Sequence, residues 1–173
     1  MKLEDIVYDL LEVLRTKVKI HWVESQQGYL GKFTLDDASY EIHLDEFDAK
    51  ILDKTYSLID FGFTKNGQWT MQGGKSPASK VLGAILNGFS EKIKTINPDA
   101  ILFGVNFKNG GVESRISLYD KLSKLYVKGS SYSFMSSWIK TRNGQYKIIS
   151  KNAFTLEEMK VIEKEASEIN LKN

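Results

Sequence analysis

Residues 73–107 read GGKSPASKVLGAILNGFSEKIKTINPDAILFGVNF, and this stretch decides the fold. Val81, Leu82, Ile85, Leu86, Phe89, Ile93 and Ile96 recur three or four residues apart, which predicts an amphipathic helix. Ser76 is suited to cap its start, and Pro77 stands where a first-turn proline is tolerated. Pro98 disfavours helical backbone at Asn97 and so ends the helix. Ala100 to Phe107 then runs without polar alternation, the pattern of a central strand covered on both faces. The preceding apolar run, Tyr56 to Thr64 (YSLIDFGFT), completes strand, helix and buried strand, the order of a right-handed crossover.

Outward from this unit the period changes twice. On the N-terminal side, Leu3, Ile6, Val7, Leu10, Leu11 and Leu14 predict a helix over 2–15. Val18, Ile20 and Trp22, then Tyr29, Gly31, Phe33 and Leu35, then Tyr40, Ile42 and Leu44 alternate with mostly polar neighbours. Short turns at 26–28 and 36–37 make these an antiparallel meander. Residues 45–54 (DEFDAKILDK) are charged and fit either a helical turn or a bulged connection. Asn66-Gly67 predicts a hairpin-type turn into Gln68-Trp69-Thr70-Met71. On the C-terminal side, Ile116, Tyr119, Leu122 and Tyr126 mark a second helix, and 131–140 with 144–150 a closing hairpin. Thr155 and Glu158 have capping-box spacing for a last helix, about 155–168, followed by a polar, fraying tail.

Composition removes several chemistries. The 173 residues contain no cysteine, which excludes disulfides, thiolate metal sites and a cysteine nucleophile. Two histidines, His21 and His43, leave little scope for a histidine metal cluster or a serine triad, and no metal is expected. A formal charge of +2 carries no argument for a polyanionic partner. A hydrophobic fraction of 42% with 27% charged residues is that of a globular chain. No apolar run approaches the roughly 20 residues of a membrane span, so no membrane partner is expected. The opening MKLEDIVYDLLEVL is amphipathic and acidic where a signal peptide is basic and then apolar, so export through one is not expected. One domain over 1–173 is the expectation from length.

The order helix, antiparallel strands, Gly-rich turn into a helix, buried strand, helix, two strands resembles the GNAT acyltransferase superfamily. Two places carry the likeness: Gly73-Gly74-Lys75-Ser76-Pro77-Ala78 before a helix, and Ala100 to Tyr126 with Leu118, Tyr119 and Leu122. The pattern is closer still to uncharacterised GNAT-like bacteriophage proteins, through Gly74, Ala78, Val81, Leu82, Pro98, Ser114, Arg115, Leu118 and Tyr119. It covers roughly residues 56–127. The resemblance implies an α+β fold: a single GNAT-like domain with a mixed, mainly antiparallel sheet and helices on both faces. It also implies that the two central parallel strands splay and that the pantetheine of acetyl-CoA or CoA enters between them. Its pyrophosphate would rest on amides around Gly73, Gly74, Lys75, Ser76 and Ala78, with Asn109 as the loop asparagine. A helix N-terminus favours an anion there.

Each candidate has a competing structural reading. The glycine turn serves equally as an ordinary strand-to-helix junction. Ser76 replaces the motif's second glycine, and Gln72 is out of register with its Arg/Gln. Tyr119 matches the family's general acid, but also fits a buried aromatic stripe. Asp60 can be a base raised in pKa by burial, or a solvent-facing residue on a sheet edge. Glu41 and His43 share that ambiguity, and Arg115 can anchor a loop through a carboxylate or through carbonyls. Trp22, Trp69 and Trp138 invite a stacking role on nucleic acid, but no dense basic stripe accompanies them, so nucleic acid ranks last. The favoured expectation is a phage-type protein with a degenerate site that works by binding another protein, virion-associated or in the host cytoplasm. The alternative is an active acyl-CoA-dependent N-acyltransferase, using Tyr119 as acid and Asp60 as base.

Overall fold

The computed structural model describes Arg15, residues 17–69 and residues 78–171, with backbone alone for Ala78, Asn170 and Leu171. The expected N-terminal helix, the Ser76 cap, Pro77, Thr70, Met71 and Gly73 to Ser76 lie outside the described residues.

Strands β1 (His21–Ser25), β2 (Gly28–Leu35), β3 (Ala38–Ile51) and β4 (Lys54–Lys65) form an antiparallel meander. Helix α1 (Ala78–Ile96) leads into β5 (Ala100–Asn106), which pairs in parallel with β4. Helix α2 (Val112–Lys128) follows, then two-residue strands β6 (Phe134–Met135) and β7 (Ile139–Lys140), β8 (Gly144–Ser150) and helix α3 (Leu156–Leu171). The sheet order is β1-β2-β3-β4-β5-β8-β6, with β7 on the same edge of β8 as β6. The fold is α+β, with a mixed, mainly antiparallel sheet and helices on both faces.

Period-two alternation sorts the side chains onto those faces. Ile42, Leu44, Ile59, Phe61, Phe63, Ile101, Phe103 and Val105 point to α1 and α2, whose Ile85, Phe89, Tyr119 and Leu122 complete the larger core. Phe47, Ala49, Ile51, Leu58, Leu102, Tyr146 and Ile148 point to α3, with Ile162 and Ala166. Each helix buries the stripe its periodicity marks. Ile20 docks over α1 because Gly88 has no side chain: a Cβ there would stand 1.8 Å from Ile20 Cδ1.

Residues 45–54 correct the expectation of a helical turn or bulge. They continue β3 to Ile51 and turn at Leu52-Asp53 into β4. Their charges alternate with Phe47, Ala49 and Ile51, so one face of a long hairpin is buried and the other wet. The first strand starts at His21 rather than Val18, although Val18 and Ile20 still pack on the core. The Asn66-Gly67 turn forms with positive φ at both residues, closed by the Lys65–Gln68 bridge. The 139–150 hairpin and the capping box also form. Thr155 N–H donates to Glu158 Oε2 at 2.7 Å, and Glu158 N–H donates to Thr155 Oγ1 at 3.2 Å.

Candidate active site at the splay of β4 and β5

Parallel pairing of β4 with β5 runs only from Leu58–Ala100 to Phe61–Phe103. Both strands continue, β4 to Lys65 and β5 to Asn106, without pairing to each other. The sheet therefore opens between them toward their C-terminal ends, where α/β sheets commonly bind ligands. A cleft of about 390 Å³ lies at that mouth, lined by Gly67, Gln68 and Trp69 on one side and Lys108, Asn109 and Gly110 on the other.

The helical side of the gap is aromatic. Tyr119 of α2 is fully buried, packed edge-on to Phe61 at 5.3 Å and tilted on Phe103 at 5.9 Å. Its hydroxyl has no hydrogen-bond partner. Burial pushes its pKa up; Arg115 and the Phe63 backbone N–H oppose the shift, and Asp60 adds to it. The structure thus brings together the two residues expected to act as acid and base, one from each face. Asp60 is half-buried on an interior strand, which corrects its expected place on a sheet edge.

The opposite face is polar. Asp60 stands directly across from Asp45 of β3, and Gly62 across from His43. Burial raises the Asp45 pKa, and the nearby His43 pulls it down. Glu41 is held below its ordinary pKa chiefly by its hydrogen bond from Lys32, their ion pair spanning 3.1 Å. Trp69 folds back over Gly62, where an added Cβ would meet its ring at 3.1 Å, and its centroid lies 5.7 Å from that of His43. Gly104, across the gap on β5, leaves open space where a side chain would stand. Beside it on β8, Tyr146 is buried under α3 with an unpartnered hydroxyl, its pKa pushed up to about 12 by burial and by Glu163 and Glu157.

Arg115 is 2% exposed and anchors the β5–α2 loop through carbonyls, not a carboxylate. It donates to Asn106 O at 3.0 Å and Asn109 O at 3.1 Å, which fixes Asn109 at the cleft. Burial lowers its pKa, against a raising influence from Tyr119. Ala78 begins α1. Asp45 escaped sequence reasoning because the charged run hid its strand parity; the alternation of Phe47, Ala49 and Ile51 was the available signal. Trp69 drew notice only for stacking on nucleic acid.

Among the described residues, no group of three acidic or histidine side chains is placed to hold a metal ion. No helix among them is long and apolar enough to cross a membrane. The site and sheet define an α+β protein with one parallel pair opening onto a mixed aromatic and acidic pocket. No family model, curated protein or solved structure matches the chain.

Proposed function

We propose that this chain is a GNAT-like acyltransferase that holds an acyl thioester of coenzyme A between β4 and β5 and passes the acyl group to an amine. The observation that carries the reading is the loss of β4–β5 pairing after Phe61–Phe103 while both strands continue. Unpaired backbone amides there need partners, and an extended amide-bearing chain such as pantetheine supplies them. In the step, the amine nitrogen attacks the thioester carbonyl, the C–N bond forms and the C–S bond breaks. The thiolate takes the Tyr119 proton and the amine gives one to Asp60. A phenol of raised pKa holds its proton until the more basic thiolate forms beside it.

One observation favours the second reading, a non-catalytic phage-type protein that acts on another protein, in the virion or the host cytoplasm. Tyr119, Phe61, Phe63 and Phe103 fill the helical side of the gap and are at most 1% exposed. A thiol reaches Tyr119 only if they shift.

Thermal melting with acetyl-CoA separates the two. A ligand at about a hundred times its Kd adds about 2.7 kcal/mol, or about 5–10 °C at this chain length. The enzyme reading expects that shift, and amine acetylation that falls at least tenfold in Tyr119→Phe while binding persists. No shift at millimolar acetyl-CoA removes it and leaves the protein-binding reading.

A further inference from the structure

The polar face of the splay has features the acyl-transfer reading does not require. Asp45 and Asp60 are direct cross-strand partners on one face, with Cβ atoms about 5 Å apart by the geometry of antiparallel pairs. Like charges so placed repel, and a cation between them removes the cost. Among the described residues Asp45 makes no salt bridge; the nearest cationic pair, Lys32 with Glu41, lies four residues along β3. Two residues farther along β4, about 7 Å on, Trp69 covers Gly62 and keeps 37% of its surface exposed. An indole face favours an alkylammonium. Gly104 leaves the far side of this slot open. The Tyr119 hydroxyl, wholly buried and unpartnered, enters the gap from the other face within electrostatic range of Asp60. It points to a polar group missing from the gap.

We propose that the slot between Trp69 and the Asp45–Asp60 pair takes a small aliphatic diamine. One ammonium sits against the carboxylates, and the chain lies along the indole. The second nitrogen, neutral, reaches the gap beside Gly104 at the level of the Tyr119 hydroxyl. The spacing from the acid pair to Gly62 suits a four-carbon chain. This assignment rests on the acyl-transfer reading, because it names that reaction's acceptor. The slot itself stands on geometry independent of coenzyme A.

The test is a titration of the full chain with 1,4-diaminobutane, followed through the Trp69 indole resonance in ¹H–¹⁵N spectra, with 1,4-butanediol as neutral control. The expected result is a saturable shift with the diamine and none with the diol. Asp45→Asn and Trp69→Leu, each checked for an intact melting transition, should each weaken binding at least tenfold. A diol that binds as well, no saturable shift, or binding unchanged in both variants overturns the proposal. Diamine binding without stabilisation by acetyl-CoA leaves the slot and removes the acyl-transfer reading. Stabilisation by acetyl-CoA without diamine binding removes the slot alone.

Discussion

Asp45 shows how one position sets a local balance of charge. Facing Asp60 and half-buried, it has a pKa above its ordinary value, mainly through burial. A carboxyl shifted this way favours the folded state while protonated. That contribution is complete below the unfolded value, about 3.9, and is lost as pH rises through the folded one. Asp45→Asn keeps a neutral side chain at every pH. It should therefore melt higher than the wild type at pH 7 and level with it near pH 3. A lower melting temperature at pH 7 would contradict this account. Arg115 behaves differently: as a buried cation on two carbonyls, it has become part of the loop it holds. Arg115→Leu should release Asn109 and raise amide exchange in 106–111 without unfolding β5, and unchanged exchange there would rule out the anchoring role.

Among the elements, α3 depends most visibly on local chemistry. Its start carries the reciprocal Thr155–Glu158 bonds, and its buried stripe is only Ile162 and Ala166, with Met159 and Ile169 partly covered. With so little apolar area, the cap is a sizeable share of its stability. Thr155→Ala should cost about 1 kcal/mol and lower the melting temperature by about 2–4 °C, whereas Thr155→Ser should change it little. Strand β3 shows the opposite dependence. Its second half is acidic and lysine-rich and has poor strand propensity, yet it remains extended. Pairing with β4 through Ile51–Lys54 and burial of Phe47 and Ala49 override the local preference.

For the whole molecule, the question is how the two helices beyond the crossover are tied to the sheet. Lys147 of β8, 3% exposed, reaches Asp120 of α2 at 2.7 Å, and Lys124 shares that carboxylate at 2.6 Å. Burial works against the Asp120 anion, but hydrogen bonds from Lys124 and Lys147 and their charges hold its pKa below the ordinary value. A depressed carboxylate stabilises the fold above its unfolded pKa, and that contribution is lost as pH falls through the folded one. The fold should therefore lose stability below about pH 4, and Asp120→Asn should flatten that acid dependence. At pH 7 the variant leaves a buried ammonium without its carboxylate. With Asp120 itself 29% exposed and partly screened, the expected cost is about 2–3 kcal/mol, read from chemical denaturation. A loss under 0.5 kcal/mol would show that the pair does not clamp α2 to β8.

The helix–strand crossover, the meander, the closing hairpin and the α3 cap were legible because each rests on interactions a few residues apart: periodicity, turn residues and capping groups. The uninterrupted apolar run of β5 marked it as central for the same reason, since only cover on both faces makes such a run tolerable. Tyr119 and Asp60 could be named from pattern and resemblance. Their juxtaposition could not, because it depends on where β4 and β5 stop pairing, and that follows from sheet twist and from side chains packed from both faces. The partnership of Asp45 with Asp60 and the fold-back of Trp69 over Gly62 were hidden likewise. Each joins residues through register rather than sequence spacing, and register is set only when the entire sheet closes on its two cores.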